Sequence, residues 1–474
     1  MLRAIRTRPR VELLGLAALS ACSSDLITRG GVVIPRVTQV VLSIGSATID
    51  PGDSLVLRVV LIDAYGDTVD RQVTWASYDT TVARVGPTGV VRALASGRAN
   101  IVATREDVSD TARLAVAQHW VQVSAGGYHA CGINTSGDAF CWGLNSTGQL
   151  GTGDTVNRTR PTKVLGGVQY VSVSAGSAHT CAITAAGVAY CWGSGSYGQL
   201  GVGDTLPRLT PTRVPGGLIF DSVSAGGRHT CALVGPDQTV YCWGGNVVGQ
   251  VGDSTTTERP TPVPAFGSLS LASLSAGDWH TCGLTATGLA YCWGRDNYGQ
   301  LGDSMSIATG VGYRPDPAPV YDQRAFAQLS AADHGYTCAV TPDGTAYCWG
   351  HNDTGQLGRG PHQLIDPTIG PVSGGLTFGM VNDGALSTCA LSKADSAAYC
   401  WGGGVLGDGV TIESDAPVRV AGGLRFAGLS TGGGDFSCGR TTQGRIYCWG
   451  WNSRGEVGTG DLTPKLVPVR LAEP

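Results

Sequence analysis

The chain has 474 residues, enough for two or three domains with cores of their own. Gly supplies 72 residues, charged side chains only 14%, and Lys occurs three times, which argues against long solvent-facing helices and for short strands joined by tight turns. The formal net charge is -4, and residues 22–474 carry 28 basic against 35 acidic side chains, so the surface has no general attraction for a phosphate backbone and no nucleic-acid partner is expected.

The first 21 residues read as an address. Arg3, Arg6, Arg8 and Arg10 form a basic stretch, and Leu13 to Ala21 form an apolar run too short to cross a bilayer as a helix. The run ends in Leu19-Ser20-Ala21-Cys22, and Cys22 is the only cysteine before residue 131. This resembles a bacterial lipoprotein signal peptide, which implies cleavage after residue 21 and acylation of Cys22. The chain is then exported and anchored to the cell envelope rather than spanning a membrane. Ser23 stands where such lipoproteins carry Asp when they are retained at the inner membrane, so the resemblance implies the outer membrane. Residues 22–36 read as the lipidated cysteine and a flexible linker, able to reach roughly 45 Å when extended.

Residues 37–117 alternate at period two, as in Leu55-Val56-Leu57-Arg58-Val59-Val60-Leu61 and Ala99-Asn100-Ile101-Val102-Ala103. Turn residues intervene at Asp50-Pro51-Gly52-Asp53, Tyr65-Gly66-Asp67 and Gly86-Pro87-Thr88-Gly89. Short strands at this spacing predict a β-sandwich. The series Val73-Thr74-Trp75, Val82-Ala83-Arg84-Val85, Gly89-Val90-Val91 and Gly97-Arg98-Ala99 resembles the group 2 bacterial Ig-like domain, with Trp75 expected in its core. Such a domain is expected to act as a stalk.

Residues 119–474 repeat at a period near 50, anchored by Trp-Gly at Trp142, Trp192, Trp243, Trp293, Trp349, Trp401 and Trp449. Upstream lies a stretch of the type Val223-Ser224-Ala225-Gly226-Gly227-Arg228-His229-Thr230-Cys231, and downstream a Gly-Gln-Leu-Gly turn as in Gly148 to Gly151. A Pro-Thr-Pro-Val type tract closes each unit. Repeats six and seven lack the Gln, and a longer outer segment, Ser304 to Tyr321, is assigned to repeat five. One such unit cannot bury both faces of a small sheet, so the units must stack, and radial stacking of four-stranded blades closes a propeller. The repeats resemble those of the eukaryotic regulator of chromosome condensation family, whose ring has seven blades. The expected fold is therefore all-β: a small Ig-like sandwich followed by a seven-bladed β-propeller. That family serves many functions, so the fold alone does not name this one.

Fourteen cysteines remain after Cys22, two per repeat: Cys131/Cys141, Cys181/Cys191, Cys231/Cys242, Cys282/Cys292, Cys338/Cys348, Cys389/Cys400 and Cys438/Cys448. Each pair flanks one hairpin turn and falls on one face of the blade, so a cross-strand bridge is geometrically open. Zinc-chelating pairs are spaced differently. With an export signal, seven disulfides are expected.

Other candidates are weaker. His129, His179, His229 and His280 share one slot, filled by Tyr336, Ser387 and Phe436 in the remaining repeats. A residue repeated in this way serves the unit, so a turn hydrogen bond is expected rather than a metal site. Gly-Asp turns such as Gly153-Asp154 lack the spaced acids of a calcium loop. Gly193 to Gly198 matches a nucleotide-binding glycine pattern by letters only, and no zinc-protease, phosphate-loop or Ser-His-Asp signature is present. No cofactor and no metal are expected. The position before the His slot varies: Tyr128, Ala178, Arg228, Trp279, Gly335, Leu386 and Asp435. Variation in a repetitive frame is where a propeller encodes specificity, and Tyr, Arg and Trp anchor interfaces. Tyr128, Arg228 and Trp279 are thus the candidate binding face. The expected function is a non-enzymatic, surface-anchored monomer that binds a protein or glycan, with enzyme regulation or inhibition by docking as the alternative.

Overall fold

The computed structural model describes residues 26–29, 32–303, 312–361, 363–410 and 413–473, and among these all regular structure is strand, with no helix. Cys22 and the expected signal peptide lie outside the described residues. The chain divides into two compact units, 1–117 and 118–474.

The stretch expected to be a flexible linker holds a paired element. Leu26–Arg29 runs antiparallel to Val32–Pro35. Ile27, Thr28, Val32, Val33 and Ile34 are β-branched and favour extended backbone, which a reading based on linker length overlooks.

The first unit is a sandwich. One sheet combines Val37–Leu42, Val59–Asp63 and Thr68–Val69; another combines Ser54–Val56, Val90–Ala93 and Ala83–Val85. The third contains Ser46–Ile49, Val108–Val116, Gly97–Arg105 and Thr74–Ser77. Leu57, Leu61, Val91, Ile101 and Leu114 fill the core, and Trp75 packs on it partly buried. The run 55–61, expected as one strand, instead changes sheets. Ser54–Val56 pairs with 90–92, whereas Val59–Asp63 pairs with Val37–Leu42. Leu57 N donates to Gly89 O, while Arg58 N donates to Ser43 Oγ, so the crossing falls between neighbouring residues.

The second unit contains seven four-stranded antiparallel sheets among the described residues. Blade one comprises Trp120–Ala125, His129–Asn134, Ala139–Gly143 and Arg158–Lys163. The other six span 172–213, 220–264, 273–319, 328–371, 378–419 and 426–470. The first strands of successive blades pack on one another, and that of blade seven packs on that of blade one. Closure is reinforced by Trp120 N donating to Gly444 O at 2.8 Å and Gln118 N to Glu473 Oε2 at 3.0 Å. The Pro-containing tracts form the fourth strands, at the outer edge where a missing N–H costs no ladder bond. The described part of the segment assigned to repeat five belongs to blade four: Tyr313–Pro319 pairs with Ala290–Arg295.

The Trp-Gly anchor has a steric cause. At Gly143 φ is +98°, and a Cβ there would lie 2.6 Å from Tyr128 O. The glycine lets the third strand close onto the loop before the second, while Trp142 is fully buried.

Candidate functional site

Three kinds of relay run between neighbouring blades, each across several of the seven joints. Ser124 Oγ accepts from Ala175 N, Ser174 Oγ from Ala225 N, Ser224 Oγ from Ala276 N, and Ser430 Oγ from Ala125 N across the closing joint, all at 2.9–3.0 Å. The indoles of Trp192, Trp243, Trp293, Trp349 and Trp401 donate to the carbonyl of the turn Gln one blade earlier. Where the turn has lost Gln, the outcomes differ. In blade seven Glu456 keeps the role, its carbonyl accepting from Trp142 Nε1 at 2.8 Å. In blade six the turn is three residues shorter, and Trp449 Nε1 is buried without a partner.

The third relay uses the histidines. His129, His179, His229 and His280 are buried, with Nε2 2.8–3.0 Å from Thr180, Thr230, Thr281 and Thr337 Oγ1 of the following blade. Each of these hydroxyls already donates to a Gln carbonyl, so it accepts from the imidazole, which fixes the proton on Nε2. Nδ1 is left without a partner in all four. Burial holds each pKa down to about 3. The slot is structural, although its bond reaches the next blade rather than its own turn. Tyr336 replaces the imidazole in blade five, its hydroxyl lying 3.1 Å from Thr388 Oγ1.

The cysteines stand directly opposite one another in the second and third strands of every blade. Their sulfurs lie at bonding distance, from 2.08 Å in Cys131–Cys141 to 2.14 Å in Cys231–Cys242 and Cys389–Cys400. The other bonded pairs are Cys181–Cys191, Cys282–Cys292, Cys338–Cys348 and Cys438–Cys448. The Gly-Asp turns are saturated by protein groups. Asp154 meets Arg158 at 2.5 Å, Asp204 meets Arg208 at 2.6 Å, and Asp461 meets Lys465 at 2.8 Å. Residues 193–198 run from the last residue of a blade-two strand, Ala189–Gly193, into the loop after it, with no helix following.

The variable slot occupies one equivalent place in all seven blades. Its carbonyl accepts from the backbone N–H two residues after each anchor Trp, from Leu144 to Tyr128 through Trp451 to Asp435. Tyr128, Arg228 and Trp279 therefore lie on one ring at one end of the blades, and none is buried. Two of them meet. The Arg228 guanidinium lies 4.4 Å from the Trp279 ring and 4.5 Å from the Tyr197 ring, held between them. Arg295 flanks Trp279 and Tyr298 at 6.0 and 5.8 Å, and Tyr298 stacks on His351 at 4.3 Å. Tyr128 stands apart, under Arg454 at 4.3 Å. Tyr197, Arg295, Tyr298, Trp451 and Arg454 were not legible as site residues, because they come from the end of the third strand and the loop after it, which vary without an obvious frame. Their common offset of two to five residues after each Trp was the signal available.

Beside this strip, between blades four and five, lies a cavity of about 180 Å³ lined by Asp278, Trp279, Arg295, Tyr298, Gln300 and Asp333, among others. Burial pushes the Asp333 carboxyl up to about 7, with repulsion from Asp278 adding to it. Burial also raises Asp278, against the opposing pull of Arg228 and His334. Asp435 is raised for the same reason, with His334 again opposing.

Residues 88–373, more than half of the chain, match the family described as RCC1-like domain. The chain belongs to the RCC1-like domain family. Residues 429–456 and 443–474 match the regulator of chromosome condensation (RCC1) repeat, and residues 36–116 match the bacterial Ig-like domain (group 2). The ultraviolet-B receptor UVR8 of Arabidopsis thaliana is 30% identical over 50% of this chain and 54% of its own length. The human E3 ubiquitin-protein ligase HERC2 is 31% identical over 48% of this chain but only 5% of its own. The chain thus spans about half the length of the first relative and a small part of the second. Among solved structures, human WBSCR16 superposes with a TM-score of 0.64 at 20% identity, covering 71% of this chain and 95% of that one. Prp20p of Saccharomyces cerevisiae superposes with a TM-score of 0.61 at 22% identity, covering 71% and 86%. At these identities the likeness to the structures establishes the fold alone.

Proposed function

We propose that this chain is an exported, lipid-anchored recognition scaffold without catalytic chemistry, which docks a protein partner as a monomer through the propeller face bearing Tyr128, Arg228 and Trp279. The observation that carries the reading is the stack of Arg228 between Tyr197 and Trp279 on a frame relayed from blade to blade. Arg and aromatic side chains held in place supply contact area at low entropic cost. Apolar side chains on the third-to-fourth-strand loops, at the same end of the blades, add a rim: Val156, Leu206, Val410 and Leu462 are all more than half exposed. That composition suits a protein surface better than a glycan. Protein partners occur in the family: the Prp20p structure is described with its binding to Gsp1p and histones. Paired cysteines suit an oxidising compartment, and the Leu19-Ser20-Ala21-Cys22 sequence suits an anchor there.

The full chain, expressed with its own N-terminus, provides the test. Cross-linking in intact cells should capture a partner that is absent when Arg228→Ala is combined with Trp279→Ala, while the unfolding midpoint moves little. Equal capture by both proteins overturns the docking face. Cys22→Ser should leave the membrane fraction or remain unprocessed, and unchanged fractionation overturns the anchor.

A further inference from the structure

Docking on the face that bears Arg228 would cover its guanidinium, so the state of that group constrains what can dock. Both of its faces are taken, by the Tyr197 ring at 4.5 Å and the Trp279 ring at 4.4 Å. What remains is the rim, where a guanidinium carries five N–H donors in one plane. Among the described residues no rim donor makes a hydrogen bond or an ion pair, and none of the Arg228 nitrogens is buried. The rim is therefore open at the surface.

The other arginines at this end of the blades are engaged. Arg158, Arg208 and Arg259 pair with Asp154, Asp204 and Asp253. The Asn297 amide oxygen accepts from Arg295 Nε and Nη2 at 3.2 and 3.0 Å. Arg454 stacks on Tyr128 by one face and lies in the field of Glu456. Asp278, whose carboxyl is raised by burial, feels the opposing field of Arg228 but forms no ion pair with it. A Cβ on Gly227 would collide with Asp278 Oδ1, so that carboxylate is tucked against the inner loop of blade three.

A partner seated here takes water from the rim, and a guanidinium that loses water without gaining an opposite charge is destabilised. The partner must therefore bring an anionic acceptor. A carboxylate matches the rim through two parallel hydrogen bonds. A phosphate dianion meets more repulsion from Asp278 than a carboxylate does.

Beside the stack lies a groove of about 290 Å³ between blades one and two, lined by Thr147, Thr155, Ser194, Ser196, Pro207 and Leu209, among others. Ser196 precedes Tyr197, so the groove continues the line that runs through Tyr197, Arg228 and Trp279. Its volume equals roughly ten waters at about 30 Å³ each, room for one large side chain. Pro207, Leu209 and the threonine methyls favour an apolar one. We propose, building on the docking reading, that the partner protein engages this face through an acidic segment, in which one Asp or Glu carboxylate pairs in plane with the Arg228 rim and a large apolar side chain enters the groove between blades one and two.

Selection of a displayed random-peptide library on the full chain tests this. Enriched peptides should carry Asp or Glu together with Leu, Ile or Phe. The best of them, titrated by fluorescence anisotropy, should bind roughly tenfold more weakly to Arg228→Gln. Replacing the peptide's own acid by its amide should weaken binding as much, and that change leaves the protein untouched. Arg228→Lys should fall between, because an ammonium keeps the charge but not the paired donors. Leu209→Asn should weaken binding while the effect of removing the peptide acid persists. The proposal is overturned if nothing is enriched, if the enriched peptides lack an acid, or if either the amide replacement or Leu209→Asn leaves affinity unchanged. Binding of methyl glucuronide where no peptide binds would also overturn it, assigning the rim to an acidic glycan. Failure of the docking reading looks different: cross-linking in cells then captures the same proteins with and without Arg228 and Trp279, whatever the peptides show. A captured partner whose contact segment holds no acid leaves the docking face standing and removes this proposal.

Discussion

Phe436 and Ala130 pack in one apolar cluster at the joint between blades seven and one, where four other joints set a histidine against a threonine hydroxyl. Both halves of the relay are apolar at this joint, which is also where the ring closes. A single polar substitution would strand a buried group. Phe436→His alone should cost about 1–3 kcal/mol, the penalty of an unsatisfied buried polar group plus lost packing. Adding Ala130→Thr should recover part of it. Denaturant unfolding of the two variants against wild type checks this, and an additive loss in the double variant would refute the coupling.

Much of this was legible in sequence and some was not, for separable reasons. Trp142 to Trp449 announce the blades because each needs an indole at the interblade core and a glycine beside it, and the variable slot could be aligned because Trp-Gly and the His slot bracket it. The exchange of sheets at Leu57 and Arg58 was invisible, since alternation continues unbroken through a strand that changes partners. The serine relay was overlooked although Ser124, Ser174 and Ser224 recur in plain sight, because a hydroxyl in a strand gives no sign of which blade it bonds. The cavity escaped because its carboxylates, Asp278 and Asp333, come from two blades.

The four buried imidazoles make stability depend on pH. Their folded pKa of about 3 lies below the usual 6.5, so both states are neutral above that value. Below it only the unfolded chain takes up protons, and stability falls as pH drops from 6.5 towards 3, by about 1.4 kcal/mol per unit for each histidine. Asp333 and Asp383, whose folded values are raised, act in the opposite sense and offset part of this fall. His229→Tyr, which copies Tyr336 of blade five, should reduce the slope between pH 6 and 5 by one proton's worth. Chemical denaturation at the two pH values measures it, and an unchanged slope would contradict the assignment.

Each bonded cysteine pair closes a short loop, with a sequence separation of 10 or 11. In the chain-entropy description such a loop is worth roughly 2.5–3 kcal/mol. Replacing Cys282 and Cys292 together by Ala should lower stability by about that amount and leave the circular dichroism spectrum intact, since six blades keep their links. Non-reducing peptide mapping of the protein should find the within-blade pairs, and free thiols or links between blades would refute the pairing.

The last prediction separates the tryptophans by exposure. The seven anchor indoles are fully buried, whereas Trp451 is 50% exposed and Trp279 is half-buried beneath Arg228. An indole-selective reagent read by mass spectrometry should modify Trp451 first, Trp279 more slowly and the anchors only on unfolding. Arg228 covers one side of Trp279 through a cation–π contact of about 0.5–1 kcal/mol, too weak to hold the fold but enough to shield the ring. Arg228→Ala should therefore speed modification of Trp279 without changing Trp451, and Arg228→Lys should fall between, because a compact ammonium stacks poorly between two rings. If Trp279 reacts equally in all three proteins, the stack does not persist in solution, and the docking face loses the preorganised centre on which its affinity is expected to depend.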